Sequence, residues 1–366
     1  MKRGNNSMST KLTQPSNGAV KLLKYCVGVD VSKEELEVCF RSIDQAQHST
    51  IKGSRTISNS QKGFTGFISW IEKFRKELDV PLVVVMEATG VYHEGLAYYL
   101  AEKGYPLSIV VPNKAKKYMQ SLGLKSKTDK IDASGLAQMG CEQRLPLWQK
   151  PNEETMQLRD LTRYLEFLHH QMTICRSRME SYEHRGVPTD TVVKNLNALI
   201  EALKKQIKEV TKQISQHIQK HPELANKVLN ITTIQGVGEL TAAVIIGEMN
   251  DFALIENQRQ LVSFCGYDVV ENQSGKRTGK VGISKKGNAH VRRILHMPAL
   301  NVVRFGVKPF KDLFDRVVKE TGVKMKAYVA VQKKLLIIIY TLFKKNEPFD
   351  PSYKIKQEQP LETWAA

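Results

Sequence analysis

Four carboxylates stand where the surrounding sequence makes them conspicuous. Asp30 ends the apolar run Cys26-Val-Gly-Val-Asp30-Val-Ser, and Glu87 closes Val83-Val-Val-Met-Glu87-Ala-Thr-Gly90. A carboxylate at the end of a buried strand is costly unless it is paired or binds a cation. Asp129 and Asp132 lie three apart in Lys127-Thr-Asp129-Lys-Ile-Asp132-Ala133, on one face if that segment opens a helix. Thr128 would cap such a helix, whose N-terminus itself favours acids, so capping alone explains this pair. In the order strand, strand, helix pair, the four form a set of hard oxygen ligands suited to Mg²⁺. Two such ions, roughly 3.5–4 Å apart, can clamp the attacking and leaving oxygens of a phosphodiester. The chemistry implied is phosphoryl transfer on nucleic acid.

Two basic segments fit that chemistry. Lys114, Lys116, Lys117, Lys125 and Lys127 precede the acidic pair and would hold a substrate backbone beside it. The second segment runs from Ser274 to Arg293 and carries Lys276, Arg277, Lys280, Lys285, Lys286, Arg292 and Arg293. Glycines at 275, 279, 282 and 287 make it a loop leading to a helix near Asn288, able to close over a DNA backbone. Solvated lysine-rich loops explain either segment equally well on its own. The 366-residue chain has 55 Lys and Arg against 37 Asp and Glu, a net charge of +18 that favours a polyanionic partner.

The acids need elements to hold them. Residues 25–31 and 36–40 read as two strands joined by Ser32-Lys33-Glu34-Glu35, with a third strand at 51–57. Phe64, Phe67, Ile68, Ile71 and Phe74 recur at helical spacing, and the apolar run 82–86 reads as a strand buried on both faces. A helix over 92–102 and a strand over 107–111 complete an α/β layer with a mixed sheet. Beyond a boundary at Pro146 to Pro151, Leu158, Leu161, Leu165, Leu168, Met172, Cys175 and Met179 form a heptad seam. It resumes in Leu196, Ile200, Leu203, Ile207, Val210 and Ile214, giving a long antiparallel coiled-coil hairpin that is either a spacer or a dimerisation arm. Residues 231–246 resemble a helix-hairpin-helix turning at Gly236 and Gly238, although a simple packed turn would use the same glycines. The expected fold is α/β plus α: a disordered tail at 1–24, an acidic domain at 25–150, the hairpin at 151–225, a mainly helical domain at 226–350 and a tail at 351–366.

Other features argue against competing classes. The five cysteines are scattered without a Cys-x-x-Cys pair and read as reduced, buried thiols of a cytoplasmic protein. His217 and His221 read as the solvated end of a helix rather than a zinc site. The longest apolar run, 335–343, is too short to span a bilayer, and the polar segment 1–24 lacks the apolar core of a signal peptide.

The motifs resemble those of the DEDD transposases of insertion-sequence family one-ten, the bridge-RNA-guided recombinases, from Tyr25 to about Tyr353. Gly28-Val-Asp30-Val-Ser-Lys33, Glu87-Ala-Thr-Gly90 and Lys127-Thr-Asp129-Lys-Ile-Asp132-Ala133 are similar to the family's three acidic motifs. Gln235-Gly-Val-Gly238, Phe264-Cys-Gly266-Tyr, Ser274-Gly275 and Lys286-Gly-Asn-Ala-His-Val-Arg-Arg293 resemble its C-terminal transposase domain, although the family's Gly-Leu-x-Pro is here Gly266-Tyr-Asp-Val.

The resemblance implies an RNase H or RuvC-like fold for the acidic domain and makes Asp30, Glu87, Asp129 and Asp132 its Mg²⁺ tetrad. It also implies that Ser274, which by itself reads as a turn residue, is the nucleophile that links covalently to DNA. The implied partners are donor and target DNA, a noncoding bridge RNA and further copies of the chain, as a dimer or as a tetramer on DNA. In such an assembly the acidic and serine domains of different protomers would form a composite site. A Holliday-junction-resolvase-like nuclease using the tetrad and water is the alternative, and a non-catalytic nucleic-acid scaffold is the third reading.

Overall fold

The computed structural model describes residues 21–88, 90–123, 128–187, 189–253, 255–270, 273–274, 277–279 and 282–351, with backbone alone for 273, 274, 277 and 278. Most of both expected tails lies outside these residues. The chain divides into two compact units, Met1–Lys150 and Pro151–Ala366.

The first unit is built on strands β1 (Leu22–Val31), β2 (Glu35–Asp44), β3 (Ser49–Ser58), β4 (Leu82–Glu87) and β5 (Leu107–Val110). Helices α1 (Gln61–Phe74), α2 (Glu94–Glu102), α3 (Pro112–Ser121) and α4 (Asp129–Glu142) complete it. The sheet order is β3-β2-β1-β4-β5, antiparallel from β1 through β3 and parallel from β1 through β5. This is the expected RuvC-like mixed sheet. β1 starts earlier than expected, because Leu22 to Lys24 extend the pairing with β2 and so belong to the sheet rather than to a tail.

Alternation along the central strands divides the sheet into two faces. Tyr25, Val27 and Val29 of β1 and Leu82, Val84 and Met86 of β4 pack with Phe64, Phe67 and Ile71 of α1 and Leu96, Ala97 and Leu100 of α2. The alternate residues Cys26, Val83 and Val85 pack with Leu136 and Met139 of α4. Gly28 lies on that second face, where a Cβ would stand 2.0 Å from the Ala133 carbonyl oxygen and 2.3 Å from the Ala137 nitrogen. The missing side chain therefore lets α4 lie directly on β1.

The second unit opens with the helical hairpin α5 (Glu153–Glu183) and α6 (Asp190–Lys220). Helices α7 (Pro222–Thr232), α8 (Glu239–Met249) and α9 (Gln258–Phe264) follow. The short strands β6 (Val269–Val270), β7 (Gln273–Ser274), β8 (Arg277–Thr278) and β9 (Gly282–Ile283) precede α10 (Ala289–Ile294), α11 (His296–Arg304), α12 (Phe310–Thr321) and α13 (Lys324–Lys345). The seam residues Leu158 to Met179 of α5 and Ile200 to Ile214 of α6 share one buried core with α7 to α13. The hairpin is thus continuous with the helical region that follows it. Gly236, at φ +99°, makes the turn between α7 and α8, and packs against Asn301 of α11 and Phe305 at that helix's C-cap.

His217 and His221 are not a solvated helix end. The hairpin returns the end of α6 to the start of α5, where His217 Nε2 lies 2.9 Å from the Glu154 carbonyl oxygen and His221 Nδ1 lies 2.8 Å from the Glu154 carboxylate. All five cysteines are free and buried. Among the described residues, no helix is long and apolar enough to cross a membrane.

Candidate active site

Strand alternation and one helix cap bring the four acids into one neighbourhood. On β1, Asp30 follows Cys26 and Gly28 on the face that α4 covers, and on β4 Glu87 follows Val83 and Val85 on the same face. The parallel pairing runs as far as Val29 opposite Met86, so Asp30 and Glu87 are the next residues on adjacent strands. Asp129 and Asp132 occupy the first turn of α4, whose N-cap Thr128 accepts a hydrogen bond from the Ile131 N–H at 3.3 Å.

The electrostatics of Asp30 report this gathering. Burial, then the like charges of Asp129, Asp132 and Glu87, raise its carboxyl from an ordinary 3.8 to about 6, against a lowering hydrogen bond from the Val31 backbone. Four crowded carboxylates are a donor set that fits a hard divalent cation. As they stand, no three His, Cys, Asp or Glu side chains among the described residues converge closely enough to hold a metal ion.

The basic residues fall into distinct environments. Lys114, Lys116 and Lys117 are exposed on α3, a helix where the sequence suggested a loop, and Ala115 faces inward. Lys125, Lys127, Lys276 and Lys280 lie outside the described residues, as do the side chains of Ser274 and Arg277. The backbone of β7, which includes Ser274, pairs antiparallel with β8, and β6 pairs antiparallel with β9, so the four short strands form a two-tier hairpin ladder.

At its base, Lys285 and Lys286 are exposed. The Arg292 guanidinium instead donates to the Cys265, Asn288 and Lys285 carbonyl oxygens at 2.7, 3.2 and 3.2 Å, a structural clamp where sequence suggested a DNA contact. Arg293 pairs with Glu166, which also meets His290 Nδ1 at 2.5 Å, and remains more than half exposed.

One polar network escaped the sequence reading. Glu248, almost fully buried, accepts from Arg163 Nε at 2.6 Å, from Arg163 Nη2 at 2.9 Å and from Asn288 Nδ2 at 2.7 Å. Burial pushes its carboxyl up, but the hydrogen bonds from Arg163 and Asn288 and the charge of Arg163 outweigh burial and leave it below its ordinary value. The available signal was a single acid in the otherwise apolar run Leu240-Thr-Ala-Ala-Val-Ile-Ile-Gly-Glu248-Met, the same kind of signal that marked Asp30.

Comparison with known proteins agrees with these motifs. Residues 27–182 match a DEDD transposase family model of the IS110 type, and residues 229–315 match a second model, described as transposase, IS116/IS110/IS902 family. The pilin gene-inverting protein of Moraxella bovis is 30% identical over 332 residues, covering 89% of this chain and 98% of that protein. The transposase for insertion sequence element IS1111A of Coxiella burnetii is 23% identical over 350 residues, covering 88% of this chain and 90% of that protein. The solved structure of T. thermophilus RuvC with a Holliday junction substrate overlays 34% of this chain and 99% of that one at 13% identity, with a TM-score of 0.26 that carries no weight for fold or function. The extent and level of likeness to the Moraxella protein, together with the two model matches, make this chain a member of the IS116/IS110/IS902 transposase family.

Proposed function

We propose that this transposase exchanges DNA strands through a covalent phosphoserine at Ser274, assisted by the carboxylates of Asp30, Glu87, Asp129 and Asp132. The observation that carries the tetrad's part is its placement: two strand-end acids on the sheet face covered by α4, and two more in that helix's first turn. Burial, then repulsion from Asp129, Asp132 and Glu87, raises the Asp30 carboxyl, and a bound cation would relieve that repulsion. When bound, Mg²⁺ would supply Lewis-acid polarisation of the scissile phosphate.

The chain's own residues do the rest. The Ser274 hydroxyl attacks phosphorus and gives up its proton, an O–P bond forms, and the bond to the departing strand's oxygen breaks, that oxygen leaving as a hydroxyl. Resolution reverses the step with a different strand as nucleophile, so the phosphodiester energy is retained in the linkage. Lys114, Lys116 and Lys117 of α3, with Lys285, Lys286 and Arg293, hold backbone phosphates and give affinity without sequence information. Site choice then falls to a noncoding bridge RNA paired with donor and target DNA. The active form is a homo-oligomer, dimeric or tetrameric on DNA. Exposed Tyr164, Phe167 and Ile174 on α5, the first two stacked at 6.2 Å, support a role for the hairpin in that assembly. The reaction takes place in the cytoplasm.

The test is to incubate the protein with Mg²⁺, its element's RNA and labelled donor and target DNA, then isolate DNA attached to protein. The expected adduct maps to Ser274 and is lost in Ser274→Ala, while Asp129→Ala abolishes recombination. Cleavage that survives Ser274→Ala and leaves free hydrolysed ends would replace this reading with a resolvase-like nuclease.

A further inference from the structure

The geometry points to a pocket between α5, α8 and α10 that takes one unpaired guanine of a nucleic-acid strand. A cavity of about 150 Å³ opens there, walled by Leu165 of α5, Leu240 and Val244 of α8 and Ile294 of α10. Leu240, Val244 and Ile294 are only half-buried, and they line the cavity with apolar surface. The volume lies below the roughly 300–1,000 Å³ of pockets for drug-sized ligands, and suits one flat ring system rather than a whole nucleotide.

The polar groups of the cavity select the ligand. Two carboxylates line it, and they are not equivalent. Glu248 is almost fully buried and spent on Arg163 and Asn288. Glu166 is partly exposed, its Oε2 held by His290 Nδ1 at 2.5 Å and its Oε1 by Arg293. Each carboxylate oxygen carries two lone pairs, so both oxygens of Glu166 can accept once more. A phosphate would be repelled by that charge, and a purely aliphatic ligand would bury it without a further partner. The ligand that fits has apolar faces and two adjacent N–H donors on one edge. Among the nucleobases guanine has that edge: N1–H and N2–H meet the two oxygens of Glu166, and O6, next to N1, accepts from Arg293. The five N–H donors of Arg293 allow it to serve O6 and a backbone phosphate at the exposed rim together. Adenine, cytosine and thymine each set an acceptor beside the donor on that edge, which would face the carboxylate.

In a duplex the same guanine edge is engaged by cytosine, so the pocket reads a base displaced from its stack. Capture there would hold a displaced strand on the unit that carries Ser274. The inference rests on the reading above only for nucleic acid as the class of ligand, and it is tested by binding, without Mg²⁺ and without cleavage.

Full-length protein is titrated into short fluorescein-labelled oligothymidylates that carry a central dG, dA, dC or dT, with anisotropy as the readout. The four strands carry equal charge, so the nonspecific electrostatic contribution cancels in their ratio. The expected result is that the dG strand binds about tenfold tighter than the other three. Guanosine, a neutral nucleoside, should compete this preference away. A parallel oligouridylate series with a central guanosine identifies RNA or DNA as the source of the base, and a preference in either series supports the pocket. Glu166→Gln, which removes the carboxylate, should abolish the preference. Val244→Phe, which fills the cavity and keeps every polar group, should do the same. Equal affinity for all four bases in both series would overturn the inference, as would a preference that both variants retain. So would a preference that inorganic phosphate removes at constant ionic strength and guanosine does not.

Discussion

Asn288 joins a buried carboxylate to a helix start: its Nδ2 donates to Glu248 at 2.7 Å while its Oδ1 accepts from the Val291 N–H at 3.1 Å and caps α10. The basic helix after the Ser274 hairpin is thereby anchored to α8. Asn288→Ala removes a cap and a charge-assisted hydrogen bond, so the second unit should lose about 2–3 kcal/mol. Urea unfolding followed by tryptophan-independent far-ultraviolet dichroism would measure it, and a change under about 0.5 kcal/mol would contradict the anchoring.

Glu248 also sets an acid limit. Its folded-state carboxyl lies below the ordinary 4.5, so its stabilisation is complete above that value and is lost as pH falls through the lowered one. We expect the wild-type midpoint in urea to drop between about pH 5 and pH 3 more steeply than that of Glu248→Gln. Parallel curves would show that the Arg163 pairing contributes nothing to acid lability.

Asp30 behaves in the opposite sense. Its carboxyl is raised from 3.8 to about 6, so the metal-free fold is favoured below the ordinary value and loses that contribution as pH rises through about 6. A divalent cation bound by the tetrad must displace the proton, so Mg²⁺ should raise Tm more at pH 7.5 than at pH 5. Differential scanning calorimetry at the two pH values checks this. Equal shifts, or an equal response from Asp30→Asn, would remove Asp30 from the cation site.

Close approach of α4 to β1 is the most exacting steric demand near the tetrad. A Cβ at Gly28 would meet backbone atoms of Ala133 and Ala137 at 2.0 and 2.3 Å, and backbone cannot yield as a flexible side chain can. Gly28→Ala should destabilise by about 3 kcal/mol or more and reduce recombination by displacing Asp129 and Asp132. Gly66→Ala is the control, because that exposed position in α1 has nothing within 4 Å of a Cβ and should gain about 0.4–1 kcal/mol. Similar thermal shifts for the two variants would contradict the packing described.

Much of the candidate site could be read before any fold was known, because its cues are local. Asp30 and Glu87 were conspicuous as acids ending apolar strands, Thr128 as a cap three residues before Ile131, and the α5 and α6 seams as heptads. Strand alternation then placed Cys26, Gly28 and Asp30 on a common face. Ser274 was different, since nothing in its immediate sequence distinguishes a nucleophile from a turn serine, and its assignment came from family resemblance.

Chain reversal decided what periodicity could not. The return of α6 on α5 placed His217 and His221 against Glu154, and the packing of Cys265 and Lys285 against the start of α10 turned Arg292 onto carbonyl oxygens. Cys26 of β1 and Cys141 of α4 joined one buried cluster, and Glu248 met Arg163 and Asn288, across separations that no local pattern spans. The sequence alone determined which residues had to be buried, capped or charged, because burial, capping and charge follow from side-chain type and spacing of a few residues. Only the tertiary structure decided which distant partners satisfy them, because a buried polar group accepts whichever donor the packing of remote elements brings within hydrogen-bond reach.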